Sequence, residues 1–346
     1  MNISRLLSVA PMMERTDRHC RYFFRLLSQQ TLLYTEMINA NAITKGNRTR
    51  LLDFSEIEHP LALQIGGSDP KLLAEATKIG VDWGYDEINL NVGCPSSRVS
   101  SGDFGAVLMK RKDHVAKCVD AMAQFSSNVP ISVKCRIAVD DQDPEKILPS
   151  FIKTVSNSGV SIFIIHARKA ILSGLSPKDN RKIPPIDYNL VKKIKAQFPK
   201  LEICLNGEIK DLSTVMNFIN DGINGCMIGR EVYKNPSKIL ENADEKIFKK
   251  MDLSGKSKQR TLYEALLKMI PYLESHLQKG GKASSVLRHL INSVSGLEGA
   301  KLFRSTLSEN MNKKNQPEIF EKALKLVNFT DKKTDEEGTQ VESGLV

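Results

Sequence analysis

Eight short apolar runs, each followed by an amphipathic helical stretch, predict an α/β chain: a (β/α)8 TIM barrel with a C-terminal all-helical domain. Two further observations support this. Several runs are almost continuously hydrophobic, as parallel strands covered on both faces should be. No GxGxxG follows any of them, which argues against an open dinucleotide-binding sheet.

The strands are expected at "LLSVAP" (6–11), "LLYTEM" (32–37), "LALQIG" (61–66) and "EINLNVG" (87–93). Four more follow at "PISVKCRI" (130–137), "IFIIHA" (162–167), "LEICLNG" (201–207) and "GCMIG" (225–229). Helical periodicity fills the gaps, for example in "KLLAEATKIG", "HVAKCVDAMAQF" and "YNLVKKIKAQF". After "YKNPSKIL" the composition shifts to Lys- and Arg-rich helical sequence without strand-like runs. We therefore expect a barrel over 1–240, a helical domain over 241–330 and a disordered polar tail over 331–346.

The 346 residues hold 41% hydrophobic and 26% charged side chains, the balance of a globular chain with a sizeable core. No apolar run is long enough to span a bilayer, and the N-terminal "MNISRLLSVAPMM" reads as a first strand rather than a signal peptide. The expected location is cytoplasmic and the expected state monomeric. A net charge of +10 favours a polyanionic partner through counterion release. The six cysteines are widely spaced, with no CxxC pair or Cys/His cluster, so neither a disulfide framework nor a metal site is expected. Five of them lie inside apolar patterns and read as core residues. Cys94, set in "NVGCPSSRVSSGDFG", does not.

Active sites of such barrels are built at the C-terminal ends of the strands. Those ends carry Pro11 and Met12, Gln64, Asn91 and Cys94, Lys134 and Arg136, His166 and Arg168, Asn206 and Gly207, and Gly229 and Arg230. Singly, each admits a plain structural role: Gln64 as a strand-end hydrogen bonder, His166 as a satisfied buried imidazole, Cys94 as part of a tight turn. An inward-facing Lys134 is harder to explain without a polar partner. Together they suit flavin mononucleotide (FMN). The phosphate would lie under the last two loops, with Arg230 as cation, Gln64 at the ring edge, and Lys134 facing the negative charge of the reduced ring. A cysteine thiol is ordinarily protonated at neutral pH, so Cys94 would serve as a general acid beside it on a mobile loop.

These segments resemble the tRNA-dihydrouridine synthases, flavin enzymes that reduce a uridine of tRNA with NADPH. The motifs are "TDRHCRYF", "LYTEM", "LQIGGSDP", "GYDEINLNVGCPSSRVSSGDFGAVLM", "VKCRIAVDD", "HARKAILSGLSPKDNRKIPP" and "MIGR", spanning Ala10 to Pro236, with a weaker match in the helical region. The "HARKA" segment resembles the A-type branch, which acts at positions 20 and 20a of the D-loop. The resemblance implies that Cys94 gives a proton to C5 of the uracil while flavin N5 gives hydride to C6. It implies cofactor contacts from Pro11, Met12, Gln64, Lys134, His166, Asn206, Gly207, Gly229 and Arg230. Asn91 would position the base, Arg168 and Lys169 would hold tRNA, and the helical domain would grip its body. The chain departs from the family at Glu208, where a second glycine is usual, at "APMMER", and at Glu231. Glu208 would leave the phosphate site intact if it avoids positive φ and faces solvent. A barrel reductase of a small pyrimidine or enone, and a non-catalytic tRNA-binding protein, are the alternatives. The basic helical domain and "HARKA" disfavour the first, and the intact Cys94, Lys134 and His166 disfavour the second.

Overall fold

The computed structural model describes residues 3–96, 99, 102–249, 261–310, 313 and 315–329. Among them, nine strands form one sheet in which every pairing is parallel: β1 (Leu7–Val9), β2 (Leu33–Tyr34), β3 (Ile38–Asn39), β4 (Leu61–Gly66), β5 (Glu87–Val92), β6 (Ile131–Arg136), β7 (Ile162–His166), β8 (Glu202–Asn206) and β9 (Gly225–Ile228). The order is β1-β9-β8-β7-β6-β5-β4-β2, and β3 also lies along β4. A parallel bridge between Ser8 and Leu32 joins the two ends, so the sheet closes on itself. Val9 N donates to Leu32 O (2.9 Å) and Leu32 N to Leu7 O (3.1 Å) across that seam.

β2 and β3 are two halves of one barrel strand, where the sequence predicts an unbroken run over 32–37. The break has a local cause. Thr35 Oγ1, rather than a backbone carbonyl, accepts the N–H of Gln64 (3.0 Å), and the ladder is interrupted there.

The strands alternate as pleated backbone must. On β5, Ile88 faces the helical wall, where Gly80 of helix Pro70–Trp83 lies so close that an added Cβ would stand 2.8 Å from Ile88 Cδ1. Its alternate residues Glu87, Asn89 and Asn91 face inward and are buried. Ala10, Leu32, Tyr34, Ala62, Ile162, Ile164, Cys204 and Met227 form a buried apolar cluster. Five wall helices begin on an aspartate whose carboxylate accepts first-turn N–H groups: Asp17, Asp69, Asp143, Asp187 and Asp211.

The chain divides into two compact units, Met1–Leu262 and Tyr263–Val346. The sequence reading begins the helical domain at 241. The stretch to 249 belongs to the first unit because the Asp244 carboxylate accepts from Ser28 Oγ (2.6 Å), Gln29 N (2.7 Å) and Gln30 N (3.1 Å). In the second unit the helices are Leu262–Gln278, Ala283–Leu290, Ala300–Glu309 and Gln316–Leu324. Leu266, Met269 and Leu273 bury one face of the first, and Phe303 meets Phe320 edge-on at 6.2 Å. The tail expected to be disordered, 331–346, lies outside the described residues.

Gly225 begins β9 against the backbone of Arg5, and a Cβ there would sit 1.8 Å from Arg5 O. No side chain can yield at that contact, so Gly225→Ala is expected to cost about 3 kcal/mol or more by overpacking. Urea denaturation followed by circular dichroism measures the loss.

Candidate active site

At the end of β5 the chain turns under the control of one side chain. Asn91 Oδ1 accepts from Gly93 N (3.1 Å) and Cys94 N (3.0 Å), while Cys94 O accepts from Ala106 N (2.9 Å). Arg136 Nε reaches Gly93 O at 3.2 Å. Gly105, at φ 77°, allows the close approach, since a Cβ would stand 2.6 Å from Cys94 O. The Cys94 thiol is partly exposed and donates to Ser96 Oγ at 3.6 Å, whereas the other five cysteines are buried. The sequence reading makes this a mobile loop. Cys94 itself is tied at its own N–H, its own carbonyl and the preceding carbonyl; residues 97, 98, 100 and 101 lie outside the described residues.

Beside the thiol corner, the neighbouring strand β6 contributes Lys134 and Arg136 to the inner face. Lys134 Nζ donates to Asn206 Oδ1 (3.0 Å), whose Nδ2 is fixed by Met227 O (2.8 Å). Burial, and then the Arg136 charge, lowers the Lys134 pKa to about 8. Arg136 falls to about 10, chiefly by burial, with Arg181 and Arg168 adding repulsion. Burial, reinforced by Arg136, Lys134, Arg168 and Arg230, holds His166 well below the ordinary imidazole range, so it is neutral at pH 7. Arg181 is lowered by burial and then by Arg230 and Arg15. The mouth of the barrel thus concentrates cations, and burial disfavours their charged forms.

Glu208 supplies counter-charge, and not as the sequence reading required. It adopts φ 54°, and its carboxylate turns back to accept from Arg168 Nη2. Arg168 is itself buried and donates through Nη1 to the carbonyls of Lys182 and Pro184. It therefore clamps the loop after β7 to the turn after β8. Lys169 follows it half-buried, its carbonyl accepting from Arg136 Nη1 at 3.1 Å. Pro11 and Met12 are half-buried after β1, and Met12 N is held by Thr16 Oγ1 (2.9 Å). Gly207, at φ 128°, has no room for a side chain beside His166, whose Cδ2 a Cβ would approach to 3.0 Å. Arg230 reaches Arg181 O at 3.4 Å.

Two residues to which the sequence reading gave no role belong to it. Arg136 ties the Cys94 corner to the carbonyls of Lys169 and Asn180, and its signal in the sequence was its place two residues after Lys134, on the same strand face. Arg181 lies inside the "NRKIPP" segment, where only position in the folded loop reveals it. The Nε atoms of Arg168 and Arg181 are buried without a hydrogen-bond partner among the described residues. Among those residues, no group of three or more His, Cys, Asp or Glu could hold a metal ion, and no helix is long and apolar enough to cross a membrane.

A closed parallel barrel with a cationic pocket and one accessible thiol at its C-terminal strand ends defines a barrel enzyme. In fold it is similar to morphinone reductase (TM-score 0.51, 11% identity, 75% of this chain and 91% of that one). The old yellow enzyme homologue from Zymomonas mobilis is comparable (TM-score 0.52, 11% identity, 73% and 95% covered). The chain belongs to the dihydrouridine synthase (Dus) family, whose profile matches residues 8–330. It is 47% identical over 324 residues to the tRNA-dihydrouridine(20/20a) synthase of Synechocystis sp., covering 93% of this chain and 95% of that one. The protein of the same name from Escherichia coli strain K12 is 49% identical over 322 residues, covering 92% and 91%.

The depressed pKa of Lys134 has a sign that can be checked. With a folded pKa of about 8 against 10.5 unfolded, the unfolded chain binds the extra proton between those values. Stability is therefore lowest below pH 8 and recovers as pH rises toward 10.5. In ligand-free protein, Lys134→Met is expected to be more stable than the parent by up to about 3 kcal/mol at pH 7. The advantage should shrink steadily in urea titrations at increasing pH.

Proposed function

We propose that this enzyme reduces the C5=C6 bond of a uridine in the tRNA D-loop, at position 20 or 20a, using FMN reduced by NADPH. The observation that carries the reading is the mouth of the barrel, where Lys134, Arg136, Arg181 and Arg230 crowd together beside one partly exposed thiol. Burial, reinforced by repulsion among these cations, lowers the pKa of Lys134, Arg136 and Arg181. An uncompensated cation group of this kind fits an anionic ligand such as the phosphate of a flavin mononucleotide. The relatives' names supply the tRNA substrate and the two positions.

On this reading Arg181 and Arg230 hold the phosphate, with the glycines at 207 and 229 admitting close approach. Lys134, fixed by Asn206, and Gln64 face the ring. When bound, the flavin supplies a hydride to C6 of the uracil. Cys94 Sγ releases its proton to C5, and water restores it afterwards. The thiolate left behind interacts favourably with Lys134, Arg136 and Arg181, the same groups whose charge it stabilises in return. Neutral His166 can accept or donate a hydrogen bond without adding charge. The base must leave its stack to reach the pocket. The helical unit and Lys169 would contact the tRNA backbone, consistent with the net charge of +10 and with a cytoplasmic place of work.

Purified protein is expected to be yellow and to release FMN on denaturation; colourless protein that takes up no flavin would refute the reading. Cys94→Ala should retain flavin and tRNA binding and lose at least about 100-fold in turnover, the usual worth of a positioned general acid. Nucleotide-resolution mapping of dihydrouridine in tRNA from cells with and without the gene tests the assigned positions. Unchanged modification at 20 and 20a would exclude them.

A further inference from the structure

A single string of hydrogen bonds descends from the thiol corner through the barrel interior. Cys94 N donates to Asn91 Oδ1 (3.0 Å), and Asn91 Nδ2 donates to Gln64 Oε1 (2.8 Å). Gln64 Nε2 donates to Asn89 Oδ1 (2.7 Å), and Asn89 Nδ2 to Ser132 Oγ (2.7 Å). Ser132 Oγ finally donates to Glu87 Oε1. All five side chains are buried. Below them Arg5 Nε donates to Glu87 Oε2 (2.7 Å) and Tyr34 Oη to Glu87 Oε1 (2.6 Å).

Every bond in the string points the same way. A carboxamide has an acceptor end and a donor end, so a run of three amides and a hydroxyl has two self-consistent senses. The ends remove that freedom. A backbone N–H can only donate and a carboxylate can only accept, so the sense observed is the one both ends permit. Bonds aligned in this way polarise one another, and the buried surroundings strengthen the coupling.

We propose that Glu87 is a positioning residue for Cys94. From the far end of the barrel, it sets the direction of the amides that hold the Gly93–Cys94 turn. The proposal concerns this chain's own loop and holds whatever substrate the thiol serves. Glu87→Gln tests it at constant shape. Arg5 would draw the new amide's oxygen toward itself, leaving an N–H group against Ser132. Ser132 could then no longer donate there. Either its hydroxyl accepts from both amides and leaves its own proton unpaired in the interior, or it donates to Asn89 and the amides above it reverse, turning Asn91 Nδ2 toward the Cys94 N–H. Each route removes the fixed sense that Glu87 imposes on the string.

Two readouts need no cofactor: amide hydrogen exchange in the peptide holding Gly93 and Cys94, and the rate of Cys94 alkylation by iodoacetamide. The other five cysteines are buried, so native alkylation reports Cys94. Glu87→Gln is expected to speed exchange in that peptide by about tenfold or more and to change the alkylation rate, with the wall helices unmoved. Tyr34→Phe is the control, because it deletes another bond to the same carboxylate but lies off the string. It should lower the melting temperature without loosening the loop. If Glu87→Gln leaves loop exchange within about twofold of the parent, or if Tyr34→Phe loosens it equally, the carboxylate does not position Cys94. Should Glu87→Gln fail to fold, Ser132→Ala must loosen the loop and Ser132→Thr, which keeps the hydroxyl, must restore it. Equal behaviour of those two variants overturns the proposal.

Discussion

A closed parallel barrel has to fill its own interior, and here part of the filling is polar. Glu87, Asn89 and Asn91 project inward from one strand, and each has to find partners away from water. Gln64, Ser132, Tyr34 and Arg5 provide them. Satisfying this column fixes the side-chain rotamers on β4, β5 and β6 together. It also brings the top of the column, Asn91, to the point where the chain must turn toward Cys94. The position of the thiol is thus a consequence of how the interior is satisfied, not of the loop sequence alone.

The mouth of the barrel follows the opposite logic. Lys134, Arg136, Arg181 and Arg230 face one another with little carboxylate among them, and burial lowers the pKa of the first three. Such an arrangement is unfavourable in isolation and becomes favourable when an anion enters. Stability is lower where binding needs the charge, while the base of the barrel is closed by the paired Arg5, Glu87 and Glu202. The two ends therefore carry similar residue types with different degrees of compensation.

Much of this was legible in the sequence. The eight apolar runs located the strands to within a few residues, and reading their C-terminal ends named Cys94, Lys134 and Asn206 before any contact was known. What the pattern hid has physical reasons. "EINLNVG" alternates polar and apolar residues, yet its polar face is buried, because the partners that satisfy it come from strands distant in the chain. The break between β2 and β3 depends on Thr35 replacing a carbonyl with its hydroxyl, which no periodicity records. Arg181 needed the folded course of its loop. The helical-unit boundary moved because one carboxylate, Asp244, ties its segment back to Ser28.

Glu208 is where sequence reasoning and structure diverge most usefully. A left-handed conformation costs a non-glycine residue about 1–2 kcal/mol, so φ 54° at this position needs a compensating interaction. The ion pair with Arg168 supplies it, and the benefit runs in both directions. Arg168 would otherwise add another buried, unpaired cation to an already repulsive mouth, since its field reaches Arg136 and His166. With both Nη atoms engaged by Glu208 and by the carbonyls of Lys182 and Pro184, the guanidinium braces the loop after β7. A glycine at 208 would relax the backbone and leave that brace without its anchor. The carboxylate therefore relieves Arg168, which serves the scaffold, and lies 4.0 Å from the exposed Lys210, while the charges facing the pocket stay uncompensated for the ligand.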